Sequence, residues 1–158
     1  MIKRFDSKEI KAVSDIIKDS SNLSGFTNKY LGGEHLQKFE KDFAKFHGCK
    51  YGIAVNSGTS GLFVAQKAAN VNSKTTVAVP CISFTSTTSQ VLACNGTPNF
   101  IDIDENSYCM SLKNNSFKDP VAIPVHLLGH PCDYNMIKSM REQEFFVIED
   151  CAQATGAS

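Results

Sequence analysis

The stretch that decides the fold is residues 77–94, VAVPCISFTSTTSQVLAC. Its first part, Val77–Pro80, is short and apolar, and its second part, Phe84–Cys94, reads as a helix. A short strand that is apolar throughout, and does not alternate with polar residues, suits a sheet that is covered on both faces. Residues 77–94 therefore predict one strand of a buried parallel sheet, followed by a helix that crosses over it.

The same alternation of short apolar runs and helical stretches continues from Tyr51 onward. The other runs are Gly52–Val55, Asn99–Ile103, Val121–Val125 and Phe145–Ile148, and the other helical stretches are Thr59–Ala69 and Tyr134–Gln143. Strands that alternate with helices indicate parallel strands joined by crossover helices. We therefore predict a three-layer α/β domain over residues 49–158, with a polar surface loop at Asn106–Asp119.

Residues 1–48 predict an N-terminal helical arm. Asp6 and Glu9 have the spacing of a capping box at the start of a first helix. Apolar residues then recur at helical spacing on one face, at Ile10, Val13, Ile16 and Ile17. After a polar connection over Ser20–Gly33, a second helix starts near Glu34 and ends at Gly48, with an apolar side formed by Leu36, Phe39, Phe43 and Phe46.

Composition excludes several classes of protein. The 158 residues include 16 basic and 16 acidic side chains, and this balance argues against a nucleic-acid-binding protein. A hydrophobic fraction of 42% suffices for a packed core. No apolar run has the length that crosses a bilayer, and the first nine residues lack the apolar stretch of a secretion signal. These features predict a soluble cytoplasmic protein.

The six cysteines and four histidines do not have the spacing of a metal site. No two cysteines lie close enough in sequence for a structural zinc site, and without a secretion signal we expect reduced, mostly buried thiols. Cys151 lies in an acidic motif, where either a reactive or a packing role is open. His126 and His130 are four residues apart, but the residues between them read as a strand end and a loop.

Ligands of open α/β sheets bind at the carboxyl ends of the strands, so the residues after each run are candidates. Ser57-Gly58-Thr59-Ser60-Gly61 lies between a predicted strand and a helix. Glycines allow a close backbone approach, and the first helical amides attract an anion, so phosphate is the natural ligand. The alternative is a helix N-cap with turn glycines. The motif is neither a Walker loop nor a dinucleotide fingerprint.

Three further residues follow other strands. An aromatic ring at Phe84 is able to stack on a flat heterocycle or to pack in the core. Asp150 is a suitable partner for a protonated ring nitrogen, or else it caps a turn, and Gln153 can donate to an oxygen on the same ring. Phosphate loop, ring, carboxylate and amide together describe a site for pyridoxal 5'-phosphate (PLP).

The chain resembles the DegT/DnrJ/EryC1/StrS family of PLP-dependent sugar aminotransferases of fold type I, over about Leu23 to Ser158. The motifs that carry the resemblance are, in chain order, LGG with FEKDFA, AVNSGTSGL, VPCISFTST, GTPNFIDI, PVHLLGHPCD and IEDCAQATGA. The resemblance implies that Ser57, Gly58 and Thr59 hold the cofactor phosphate and that Phe84 stacks on its ring. It also implies that Asp150 faces the pyridine nitrogen and Gln153 the phenolic oxygen.

One departure from the family is serious. In the family a Schiff-base lysine follows the Asp-x-x-Gln motif by a few tens of residues, and no lysine follows Asp150 here. We therefore expect the N-terminal part of an aminotransferase, without the remaining strands and the small domain, inactive by itself and with no catalytic residue of its own. The resemblance implies transfer of an amino group from glutamate to a nucleotide-linked keto-sugar in surface polysaccharide synthesis, by a homodimer. The alternatives are a PLP-dependent sugar dehydratase fragment and a non-catalytic relative of the fold.

Overall fold

A computed structural model describes residues 5–19, 32–112 and 119–157. Most of the predicted Ser20–Gly33 connection and residues 113–118 of the predicted surface loop lie outside these ranges. The chain divides into two compact units, Met1–Ala54 and Val55–Ser158, which are described one at a time.

The first unit contains helices α1 (Ser7–Lys18) and α2 (Glu34–Phe46). The predicted capping box at the start of α1 is confirmed, because Asp6 accepts from the Lys8 amide at 2.7 Å and donates its own amide to Glu9 at 2.8 Å. Within the described part of the chain, no residue of α1 is buried, so the apolar face of this helix is exposed. No helix in the described ranges is long and apolar enough to span a membrane.

The predicted strand at Gly52–Val55 is wrong, because no strand is assigned to these described residues. The α2 residue Glu40 binds this segment instead, and its carboxylate accepts a hydrogen bond from the Ala54 amide at 2.8 Å. The backbone of Gly52 approaches the same residue so closely that a Cβ there would lie 2.4 Å from the Glu40 carbonyl oxygen. A strand needs a ladder of backbone partners, and a side chain supplies the contact here.

The second unit contains a four-stranded sheet in the order β2-β1-β3-β4, in which all neighbouring strands are parallel. Its elements along the chain are α3 (Gly58–Ala68), β1 (Thr76–Pro80), α4 (Thr85–Ala93), β2 (Thr97–Ile101), β3 (Val121–Ala122), α5 (Tyr134–Glu142) and β4 (Phe146–Val147). Each of them coincides with a predicted strand or helix, although β3 and β4 are shorter than predicted. Backbone pairing nevertheless continues beyond both strands to a bridge between Val125 and Asp150.

The three-layer prediction is confirmed by two separate apolar clusters, one on each face of the sheet. On one face, Val77 and Val79 of β1 and Ile148, which directly follows β4, pack with Leu62 of α3 and Val91 of α4. On the other face, the cluster combines strand residues with α5 and is formed by Ala78, Ile101, Cys109, Met110, Ala122, Cys132, Met136, Ile137 and Met140. Successive strand residues alternate between the clusters because side chains along a strand point to opposite faces.

Helices α3 and α4 run in the same direction. The thiol of Cys94, just after α4, lies 3.9 Å from the Phe63 carbonyl in α3. A Cβ at Gly96 would lie 2.7 Å from Val71, which follows α3. The carboxyl ends of both helices therefore meet where β2 begins. Their amino ends consequently lie at the opposite edge, where the parallel strands end.

Candidate functional site

The Ser57 loop leads directly into α3. The Ser57 hydroxyl accepts a hydrogen bond from the Ser60 amide at 3.2 Å and pairs with the Ser60 hydroxyl at 3.1 Å, so Ser57 is the N-cap of the helix. The first amides of a helix, here those of Gly58 and Thr59, have no partner within the helix. A Cβ placed on Gly58 would meet nothing within 4 Å. The end of α3 therefore combines open space with amides and a helix dipole that favour an anion.

Phe84 lies at the carboxyl end of β1 and is the N-cap residue of α4. Its side chain is 69% exposed, so the alternative of a core-packing role does not apply within the described residues. The turn around it is fixed, because the Ser83 and Thr87 hydroxyls are bonded at 2.7 Å and the Thr87 amide donates to the Phe84 carbonyl at 3.0 Å. The structure thus presents an aromatic ring at the edge of the sheet where the strands end.

Asp150 lies where β4 ends and is held by backbone pairing. Its amide donates to the Pro124 carbonyl at 2.9 Å, and its carbonyl accepts from the His126 amide at 3.0 Å. The carboxylate is half-buried and accepts a hydrogen bond from the Ala152 amide at 3.0 Å. Through this bond Asp150 caps the turn that follows it, which is one of the two roles that the sequence left open. It uses one oxygen, Oδ1, so the second oxygen is not engaged by the turn.

Gln153 is fixed by the loop that follows β3. Its Oε1 accepts a hydrogen bond from the Leu128 amide at 2.7 Å. An amide that accepts through its oxygen presents Nε2 as its donor. Leu128 has φ 55°, a left-handed conformation that is costly for a leucine, and the loop is therefore held in a specific shape at this point.

The structure places all six predicted site residues in the second unit and at one edge of the sheet. Asp150 and Gln153 are joined through the loop after β3, at His126 and Leu128. Phe84 and the Ser57–Thr59 loop share the edge through topology alone. Among the described residues, no hydrogen bond connects either of them to Asp150 or Gln153.

Sequence reasoning missed a polar cluster around Glu149. This carboxylate contacts His126 Nε2 at 3.2 Å and also the Arg141 guanidinium of α5. The sequence did contain one signal, because Glu149 directly precedes Asp150 and neighbouring residues of a strand point to opposite faces. A carboxylate in that position lies on the face opposite Asp150. Spacing alone gave no indication that Arg141 lies next to this carboxylate.

Two cysteines near this edge, Cys132 and Cys151, are poor nucleophiles. All six cysteines are free, and three of them, Cys94, Cys109 and Cys132, are buried, so the expectation of mostly buried thiols holds for half of the set. Burial raises the pKa of the Cys132 thiol. Partial burial of the thiol, together with the charges of Glu149 and Asp150, raises the pKa of Cys151. Since the thiolate is the reactive form, a raised pKa does not favour a reactive role for Cys151.

These features define a class of protein: a parallel α/β domain whose strand ends carry an anion-accepting helix terminus, an exposed ring, a carboxylate and an amide. A search against family models matches residues 6–158 to the DegT/DnrJ/EryC1/StrS aminotransferase family. The match covers nearly the whole chain. The chain belongs to this family.

Individual relatives agree with this assignment. The chain is 35% identical over 152 residues to the spore coat polysaccharide biosynthesis protein SpsC of Bacillus subtilis, covering 93% of this chain and 37% of SpsC. It is 33% identical to GDP-perosamine synthase of Escherichia coli O157:H7, covering 79% of this chain and 36% of that enzyme. The solved structure of an aminotransferase from Psychrobacter cryohalolentis superimposes with a TM-score of 0.87 at 33% identity, covering 98% of this chain and 39% of the other. The chain thus spans well under half the length of these proteins.

Proposed function

We propose that this chain supplies the cofactor-binding part of a PLP-dependent nucleotide-sugar aminotransferase. The observation that carries the proposal is the open space at Gly58, on the edge of the sheet where Asp150 lies. Family membership and the names of two relatives, a GDP-perosamine synthase and a spore coat polysaccharide biosynthesis protein, support the reaction class.

The start of α3 binds the phosphate in this proposal. The amides of Gly58 and Thr59 donate to phosphate oxygens, and the dipole of the 11-residue helix adds electrostatic attraction. Ser57 keeps the first turn in place through its bond to the Ser60 amide. Because Gly58 has no side chain, the backbone reaches the phosphate without steric hindrance.

Phe84, Asp150 and Gln153 bind the ring. PLP, when bound, supplies an electron sink for carbanion chemistry. Phe84 stacks on the ring, and the carboxylate of Asp150 accepts a hydrogen bond from the ring nitrogen and keeps it protonated. The donor Nε2 of Gln153 faces the phenolic oxygen, while Oε1 stays bound to the Leu128 amide.

The finer assignments are part of the same proposal. The amino donor is glutamate, the acceptor is a nucleotide-linked keto-sugar, and the whole enzyme is a cytoplasmic homodimer that serves surface polysaccharide synthesis. Residues 1–48 form a helical arm and residues 49–158 part of the large domain. No lysine follows Asp150 in these 158 residues. We therefore expect that they bind cofactor but do not release ketoacid from glutamate.

Titration of the purified chain with pyridoxamine 5'-phosphate (PMP), followed by calorimetry, tests the proposal. Asp150→Asn removes a charge-assisted hydrogen bond, of about 1.5–3 kcal/mol, and lowers the affinity roughly 10- to 100-fold. Asp133→Asn is the matched control, because Asp133 caps its own turn through the Asn135 amide at 2.9 Å, as Asp150 does through Ala152. Equal affinities of wild type and Asp150→Asn for PMP contradict the proposed site. Ketoacid release by the wild-type chain contradicts the expected inactivity.

A further inference from the structure

Glu149 is the centre of a polar cluster on the α5 side of the sheet. Its Oε2 contacts His126 Nε2 at 3.2 Å, and its Oε1 contacts Arg141. The carboxylate is about one-third exposed, whereas the His126 side chain is only 10% exposed. One carboxylate therefore connects the loop after β3 with helix α5.

The hydrogen bonds of His126 fix its tautomer. The Cys132 amide donates to His126 Nδ1 at 3.1 Å, so Nδ1 acts as an acceptor. A neutral imidazole then carries its proton on Nε2, which donates to Glu149. Both ring nitrogens are thus used, and the ring has a single orientation between Cys132 and Glu149.

Backbone bonds connect this cluster directly to Asp150. The His126 amide donates to the Asp150 carbonyl at 3.0 Å, and Glu149 is the residue before Asp150. Ile148 packs in the cluster formed with α3 and α4, while Val147 packs against the cluster formed with α5. Because side chains alternate along an extended chain, Glu149 lies on the α5 face and Asp150 on the face of α3 and α4.

The same loop holds Gln153. Two residues after His126, the Leu128 amide donates to Gln153 Oε1 at 2.7 Å. The orientation of His126 therefore affects both Asp150, through the backbone, and Gln153, through the adjoining turn. Both are residues that we assign to the cofactor ring.

We infer that Glu149 is a positioning residue of the cofactor site. It touches no ligand, since it lies on the opposite face of the sheet, and it acts by holding His126 and Arg141 so that Asp150 and Gln153 keep their places. The effect of Glu149 on cofactor binding rests on the proposed function, whereas its effect on the positions of Asp150 and Gln153 concerns only contacts within the chain.

The test compares Glu149→Ala and Glu149→Gln, with Glu142→Gln as the matched control. Glu142 is an exposed carboxylate of α5 that contacts Lys138 at 3.8 Å and none of the site residues. Two measurements need no cofactor: the ¹⁵N NMR shifts of the His126 ring, and hydrogen exchange at the His126, Leu128 and Asp150 amides. Two measurements use PMP: its affinity, and the absorbance maximum of bound PMP, which responds to protonation of the ring nitrogen.

For Glu149→Ala we expect faster exchange at those three amides by a factor of ten or more, a changed His126 ring spectrum and roughly tenfold weaker binding of PMP. We also expect a shifted absorbance maximum, which a loss of stability alone would not produce. Glu149→Gln retains an acceptor for His126 Nε2 and restores affinity to within about threefold. Glu142→Gln leaves all four measurements unchanged. Amides of β1 and β2, which lie away from Glu149, report whether each variant is folded.

Unchanged exchange at His126 and Asp150 in a folded Glu149→Ala chain overturns the inference, as do an unchanged PMP affinity and absorbance maximum. If Glu149→Ala does not fold, Glu149→Met removes the acceptor for His126 Nε2 and the contact with Arg141 while keeping a side chain of similar volume, and the same criteria apply. Failure of the wild-type chain to bind PMP contradicts the proposed function instead. The exchange measurements then still decide whether Glu149 fixes Asp150.

Discussion

Gln66 of α3 offers a direct test of the packing described above. It is fully buried, and neither its Oε1 nor its Nε2 has a hydrogen-bond partner among the described residues. Leu62, one helical turn before Gln66 in α3, belongs to the apolar cluster between the sheet and helices α3 and α4. Replacing Gln66 with leucine removes the amide group and introduces a branched apolar side chain of similar size.

The expected gain in stability follows from the two unpaired atoms. A buried polar group without a partner costs about 1–3 kcal/mol relative to one that is hydrogen-bonded or solvated. Glutamine and leucine have similar helix propensities, and hydrophobic replacements of similar volume usually cost less than about 1.5 kcal/mol. We therefore expect Gln66→Leu to raise the free energy of unfolding by about 2 kcal/mol. For a chain of this size that corresponds to a rise in Tm of roughly 4–8 °C.

The assay is urea denaturation followed by circular dichroism, with a thermal scan as a second measurement. Gln37→Leu serves as the control, because Gln37 is an exposed helical glutamine whose amide bonds the Gly32 carbonyl at 2.9 Å. We expect the control to change stability by no more than about 0.5 kcal/mol. Gln66→Ala also removes the amide, but it leaves a cavity, so it does not reproduce the gain.

The reasoning is refuted if Gln66→Leu unfolds at the same or a lower urea concentration than wild type while the control is neutral. That result would mean that the buried amide has a partner, such as an internal water, whose loss offsets the apolar gain. A gain in Gln66→Ala equal to that in Gln66→Leu would likewise contradict the packing argument, because alanine cannot fill the space.

Two further predictions concern the glycines and the thiols. Gly52→Ala places a Cβ 2.4 Å from a backbone oxygen, and we expect it to destabilise the first unit by about 1–3 kcal/mol. Gly58→Ala places its Cβ in open space, so we expect unchanged thermal stability but at least tenfold weaker binding of PMP. Equal losses of Tm in the two variants would contradict this expectation. Because burial raises the pKa of Cys132 above the ordinary thiol value of 9.0, its contribution to stability is complete below pH 9 and is lost as the pH rises and the unfolded chain ionises. We expect Cys132→Ala to reduce the loss of stability above about pH 9, by up to 1.4 kcal/mol per pH unit, and an unchanged slope would contradict this expectation.

Local sequence signals predicted the elements of the second unit well. Buried parallel strands are apolar throughout, and the runs at Val77–Pro80 and Val121–Val125 show that pattern without any tertiary information. The capping box at Asp6 is likewise a local interaction between residues three positions apart. Such features depend on neighbouring residues only, and the sequence therefore contains all the information that they require.

The run at Gly52–Val55 shows where local reasoning fails. Its composition suits a strand, but strand formation requires a backbone partner from elsewhere in the chain. In the described residues the Glu40 carboxylate binds the Ala54 amide, 14 positions away in sequence. No local pattern predicts that contact, because it depends on how α2 and the following segment pack together.

By itself, the sequence determined the class of fold, and it singled out the candidate cofactor residues, from Ser57 to Gln153, by their residue types and by the resemblance to a known family. Only the tertiary structure decided how those residues are held. The bond from Leu128 to Gln153 spans 25 positions, and that from His126 to Glu149 spans 23. Contacts over such separations arise when parallel strands bring their ends together, so their partners are fixed by strand order and register and not by spacing along the chain.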